Sequence, residues 1–160
     1  MSSITVTIQS LGPDAGRPYY LENSPGSVTF VPERGSGNDR ARTLWYVQNV
    51  SSLSQLSKGI YFLLQNVYDL RYLVIGQKVP TQVAFGTSYF AAMATEGQEV
   101  KFEPDGTQLQ TSVVGYIGAQ RPGSTNFYYG VQYAEFSNRM AWIPAPAYPF
   151  EHMLVQASSS

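Results

Sequence analysis

The sequence predicts an all-β fold, a β-trefoil built from three four-strand units in a single domain spanning residues 1–160. Three observations carry this reading. One strand phrase is written three times, as Ser27-Val28-Thr29-Phe30-Val31-Pro32, Gln82-Val83-Ala84-Phe85-Gly86-Thr87 and Arg139-Met140-Ala141-Trp142-Ile143-Pro144. Each copy runs polar, aliphatic, small and aromatic into a turn-prone ending, and the copies lie roughly 55 residues apart, a spacing that marks a repeated supersecondary unit. Apolar residues alternate with polar ones through most segments, while helical periodicity is weak throughout. Twelve short strands in three units close into a barrel without exposed edges, whereas the competing two-sheet sandwich leaves the triplication unexplained.

The first unit, residues 1–50, opens with Ile4, Val6 and Ile8 alternating with Thr5, Thr7 and Gln9, a half-buried strand pattern. Gly12-Pro13-Asp14-Ala15-Gly16 is a turn cluster, Tyr19-Tyr20-Leu21 resumes the strand, and Asn23-Ser24-Pro25-Gly26 turns the chain into Val28–Val31. A long polar stretch, Pro32–Arg42, leads to Leu44-Trp45-Tyr46-Val47. In the second unit, residues 51–106, the expected strands are Ile60–Gln65, Tyr72–Ile75, the phrase around Phe85, and Val100-Lys101-Phe102, closed by Pro104-Asp105-Gly106. Ser88–Thr95 reads equally as a helical turn or a loop. The third unit, residues 107–157, runs through Ser112–Ile117, Phe127–Gln132, the phrase around Trp142, and Met153-Leu154-Val155. Phe30, Phe85 and Trp142 are expected to be related by the threefold pseudo-axis, and Trp45 and Phe102 to hold equivalent fourth-strand positions.

Composition narrows the function. Charged residues make up 13% of the chain and the net charge is −1, so the basic surface that phosphate contact requires is missing and nucleic acid is not an expected partner. With no cysteine, a disulfide framework, a thiolate zinc site and a cysteine nucleophile are excluded. Met1-Ser2-Ser3-Ile4-Thr5 has neither a charged n-region nor an apolar h-region, so a cytoplasmic location is expected, and the sequon Asn49-Val50-Ser51 is expected to stay unmodified. No apolar run approaches the length of a membrane helix.

Catalytic chemistry finds little support. The single histidine, His152, reads as a rim residue, and the scattered carboxylates form no metal-loop spacing. Neither a cofactor nor a metal is expected, and the chain reads as non-enzymatic. The Gln-x-Trp motif of ricin-type lectins is absent, since Thr43-Leu44 precede Trp45 and Met140-Ala141 precede Trp142. Tyr68, Tyr128, Tyr129 and Tyr133 suit either stacking on a sugar or ordinary packing.

The first-unit loops are the candidate binding surface. Gly12-Pro13-Asp14-Ala15-Gly16-Arg17-Pro18 joins the first two strands, and Pro32–Arg40, with Arg34, Gly35, Ser36 and Gly37, joins the third and fourth. Their Gly/Pro composition suits a narrow wedge entering a cleft as well as it suits plain solvent loops. The segment Pro144–Phe150, rich in Pro and Ala, reads as a second contact surface or a rigid crossing.

Residues 4–66 resemble the mycocypins, fungal β-trefoil cysteine-protease inhibitors that include clitocypin and macrocypin, and the related cocaprins. The likeness rests on Pro13-Asp14-Ala15-Gly16 followed by Tyr19-Tyr20, on Leu44-Trp45-Tyr46-Val47, and on Gly59-Ile60-Tyr61. The resemblance implies reversible occlusion of a papain-like active site, with Gly12, Pro13, Asp14, Ala15, Gly16, Arg17, Arg34, Gly35, Ser36 and Gly37 as the contact surface. Arg17-Pro18 stands where a second glycine would make a slimmer wedge. Some members of the family also inhibit aspartic proteases, and others inhibit legumain through an asparagine between the fifth and sixth strands. Asn66, followed by Val67, holds the matching segment, where an asparagine also suits a plain turn. The expected partner is therefore a protease, with a carbohydrate as the alternative.

Overall fold

The computed structural model describes residues 3–11, 19–80, 86–144 and 152–158. Within them the chain forms twelve strands: β1 (Ser3–Ser10), β2 (Tyr19–Ser24), β3 (Ser27–Val31), β4 (Trp45–Gln48), β5 (Tyr61–Asn66), β6 (Tyr72–Lys78), β7 (Tyr89–Ala94), β8 (Val100–Gln108), β9 (Ser112–Gln120), β10 (Phe127–Tyr133), β11 (Arg139–Pro144) and β12 (Met153–Ala157). Short 3-10 helices occupy Gly37–Thr43, Leu53–Lys58 and Ala134–Phe136. No helix among the described residues is long and apolar enough to cross a membrane.

Six strands form a closed antiparallel ring, in which β1 pairs with β4, β4 with β5, β5 with β8, β8 with β9, β9 with β12, and β12 with β1. Ring closure leaves none of these six strands with a bare edge. The other six pair as β2–β3, β6–β7 and β10–β11, and β11 also contacts β3 and β7. Three hairpins are thus joined to one another as well as to the ring. β1 also pairs with β2, and its nominally outward Thr7 and Gln9 are buried, so this strand is more enclosed than its alternation predicts.

The register repeats with the units. Val47 lies opposite Leu64, Phe102 opposite Ile117, and Val155 opposite Ile8. Two residues further along, Trp45 faces Asn66, Val100 faces Ala119, and Met153 faces Ser10. All twelve residues are buried. Trp45 therefore corresponds to Val100 and Met153, and Phe102 to Val47 and Val155. The expected equivalence of Trp45 and Phe102 is wrong by two residues, because a bulky aromatic satisfies either inward position and local sequence does not distinguish them. Small residues accommodate the large ones. A Cβ built on Gly115 would lie 2.8 Å from Phe102 Cζ and 2.1 Å from the Glu103 carbonyl oxygen, so only glycine fits beside that ring. Trp45 Nε1 donates to the Leu21 carbonyl at 3.1 Å and Trp142 Nε1 to that of Val74 at 3.3 Å, which satisfies both buried indoles.

Three expectations change. The first and third copies of the strand phrase are β3 and β11, with Phe30 and Trp142 buried in one core cluster. The second copy falls mostly on residues 81–85, so Phe85 lies outside the described residues, and the paired strand of that hairpin is β7, further along the chain. Ser88–Thr95 is thus largely strand, neither helix nor loop. Its Ala-rich run has helix propensity but is too short to nucleate a helix, while pairing with β6 and β11 supplies hydrogen bonds along its length. Pro104-Asp105-Gly106 does not end β8. It marks an irregularity in the β8–β9 register between Pro104 and Gln108, where Gly106 takes φ +126°.

Candidate functional site

The two candidate loops spring from neighbouring strand ends. Ser10 pairs with Tyr19, and Tyr20 pairs with Val31, so the strand ends that bound the β1–β2 and β3–β4 connections are neighbours. Of the expected contact surface, Gly12, Pro13, Asp14, Ala15, Gly16 and Arg17 lie outside the described residues, as does most of Pro144–Phe150.

The β3–β4 connection is more ordered than its polar composition predicts. After Pro32–Ser36 it enters the 3-10 helix Gly37–Thr43, in which the Asp39 amide donates to the Ser36 carbonyl at 3.2 Å. Gly35 has an internal reason to be glycine, since a Cβ there would meet Asp39 Cβ at 2.8 Å. Gly37 has a conformational one: its φ is +59°, and a Cβ would meet nothing within 4 Å. Ser36 and Gly37 are exposed, while Arg34 is half-buried. The Arg34 guanidinium sits 5.9 Å from the Tyr20 ring, and its Nε and Nη2 are buried without a hydrogen-bond partner. Burial, and then the charge of Arg40, lower its pKa against the opposing influence of Tyr20. Arg34 thus stands beside Tyr20 at the start of β2, with those two donors unpaired among the described residues.

Arg42, at the end of the 3-10 helix, fastens this connection to the second unit. Its guanidinium lies 3.8 Å from the Tyr68 ring centroid, Nη1 donates to the Asn23 carbonyl at 3.0 Å, and Nε is 3.5 Å from Asp39. The β5–β6 turn, residues 67–71, is held from below by Asn66. The Asn66 side chain is fully buried, at 0% exposure. Its Nδ2 donates to the carbonyls of Arg42 at 3.0 Å and Leu44 at 3.3 Å, and its Oδ1 accepts from the Tyr68 amide at 3.0 Å and from Asn23 Nδ2 at 3.3 Å. A protease specificity pocket needs an exposed side chain, so Asn66 acts as a turn anchor and the legumain reading of Asn66 is set aside. Val67 beside it donates its amide to the Leu44 carbonyl at 3.0 Å. The residues this turn does present are Tyr68, 46% exposed, and Leu70, 57% exposed with φ +61°. Tyr68 was legible as an available aromatic; Leu70 carried no signal, because its exposure and strained backbone are tertiary properties.

His152 has no metal-binding neighbourhood, and no group of three or more His, Cys, Asp or Glu that could hold a metal occurs among the described residues. Its Nε2 lies 3.2 Å from Asp105 Oδ2, and its ring stacks on Tyr116 with centroids 4.8 Å apart. Hydrogen bonds from His152 and Tyr116 hold the Asp105 carboxyl below its usual pKa. Of the other tyrosines considered for sugar stacking, Tyr128 is buried, Tyr129 donates to Glu103 at 2.8 Å, and Tyr133 packs against Phe136 with centroids 5.0 Å apart.

Two concavities lie on the described surface. An open groove of about 560 Å³ is lined by Tyr61, Glu99, Gln120, Arg121 and their neighbours. A cavity of about 240 Å³ lies where the β2–β3 turn meets β7 and β11. No protein-family model, curated protein or solved structure matches this chain.

Proposed function

We propose that the chain is a β-trefoil that reversibly inhibits papain-like cysteine proteases through its first-unit loops. The carrying observation is that the β1–β2 and β3–β4 connections leave adjacent strand ends, Tyr20 pairing with Val31, which lets two loops act as one wedge. The closed six-strand ring, the three hairpins and the repeating register support the trefoil reading. The exposed Ser36 and Gly37 form the slim part of the wedge, and the half-buried Arg34 sets a cation beside them. Aspartic proteases are the second target class. Purified protein is titrated against papain with a short fluorogenic substrate. Tight inhibition, weakened by G16L and by R34A, supports the reading; full papain activity at micromolar protein overturns it and turns the search to pepsin.

A second reading, carbohydrate binding, draws on the open groove. There Tyr61, 46% exposed, offers an apolar ring face beside Glu99, Gln120 and Arg121. A glycan panel with the Y61A variant as control tests it.

A further inference from the structure

The cavity of about 240 Å³ between the hairpins has only two charged residues among its described lining, Arg71 and Arg139, and both are cationic. They come from different units, Arg71 from the end of the β5–β6 turn and Arg139 from the start of β11. The guanidinium carbon of Arg139 lies 3.7 Å from the Phe90 ring centroid, which covers one face of the group. Its Nε is buried and has no hydrogen-bond partner, and Arg139 makes no ion pair among the described residues. Arg71 is tied to Asp69 through Nε at 2.8 Å, and its two terminal nitrogens make no hydrogen bond among the described residues. Asn23, Ser24 and Ser27 of the β2–β3 turn complete a polar wall.

Arg139 lines the cavity and its guanidinium makes no hydrogen bond or ion pair to an acceptor among the described residues, so an acceptor entering the cavity from solvent has a cation to meet. Planar guanidinium forks match an oxyanion in shape, and with Asp69 already balancing Arg71 it is Arg139 that supplies the uncompensated charge. The volume is below the range of about 300–1,000 Å³ typical of larger ligands, so it suits a compact group. The geometry points to a binding site for a phosphate- or sulfate-type oxyanion, held between Arg71 and Arg139 and lined by the β2–β3 turn. This site is separate from the first-unit loops and does not depend on the protease reading.

The test is a backbone-amide NMR titration of the full chain with sodium phosphate, then sodium sulfate, then glucose 6-phosphate, at constant ionic strength set with chloride. Saturable shifts are expected at Gly26, Ser27 and Ala92. Saturation by the inorganic anions identifies a free oxyanion as sufficient; saturation by glucose 6-phosphate alone identifies an ester carried on an organic group, and either outcome supports the site. R139Q is expected to weaken binding about tenfold or more, and K58Q, on a surface away from the cavity, to leave it unchanged. Should R139Q fail to fold, R71Q on the more exposed side carries the same comparison. Absence of saturable shifts with all three anions, or equal affinity in the arginine variants and K58Q, overturns the proposal.

Discussion

Asn23 donates its side-chain amide to Asn66 Oδ1 at the end of β5, at 3.3 Å, and to Asp69 Oδ2 in the β5–β6 turn, at 2.8 Å. The hairpin of the first unit thereby sets the turn of the second, and Asn66 relays the restraint to the carbonyls of Arg42 and Leu44. The turn that presents Tyr68 and Leu70 is held by buried polar contacts in place of packing.

Removal of that anchor is expected to be expensive. N66A strands the buried partners of a fully enclosed amide and should cost about 2–4 kcal/mol in urea denaturation. An unchanged midpoint would show that the network contributes nothing to stability.

Asp69 provides a pH signature. Burial alone would raise its pKa, but hydrogen bonds from the Arg71 backbone, the Arg71 guanidinium and Asn23 outweigh it and hold the carboxyl below its usual value. A depressed folded pKa stabilises above the unfolded pKa and loses that contribution as pH falls through the folded one. D69N should therefore be less stable than the parent at neutral pH, with the gap closing below about pH 4. Denaturation midpoints of both proteins between neutral and acid pH measure it; a pH-independent gap contradicts the assignment.

Leu70 tests the strain at the tip. Its φ of +61° is a conformation that glycine adopts freely. L70G is expected to leave stability unchanged or raise it by about 1 kcal/mol. L70V, with a β-branched side chain at positive φ, should lower it by about 1–2 kcal/mol. Paired thermal melts decide the order.

Gly115 tests the core. G115A places a methyl group against the Glu103 carbonyl and the Phe102 ring and should cost about 3 kcal/mol or more, or prevent folding. G123A, where a Cβ would meet nothing within 4 Å, should cost about 1 kcal/mol through its positive φ alone. Equal losses would place the strain outside the core.

For the proposed inhibitor, R34A is expected to raise the inhibition constant for papain about tenfold, because Arg34 is a half-buried cation of the β3–β4 connection, beside the exposed Ser36 and Gly37. Stability should change little, since no hydrogen bond is lost, and a melt beside the titration separates the two effects.

The sequence by itself determined that this chain is built of strands and where most of them run, because alternation with period two is a local property and survives without knowledge of partners. It also showed the first and third copies of the strand phrase, whose aromatic residues Phe30 and Trp142 are buried. The tertiary structure alone decided how those strands meet. Which of two nearby segments becomes β7, whether Trp45 aligns with Phe102 or with Val100, and whether Asn66 faces solvent or the interior all depend on contacts between residues distant in the chain. Arg71 and Arg139 carried no signal as separate basic residues; only the docking of the hairpins brings the two side chains to the wall of one cavity.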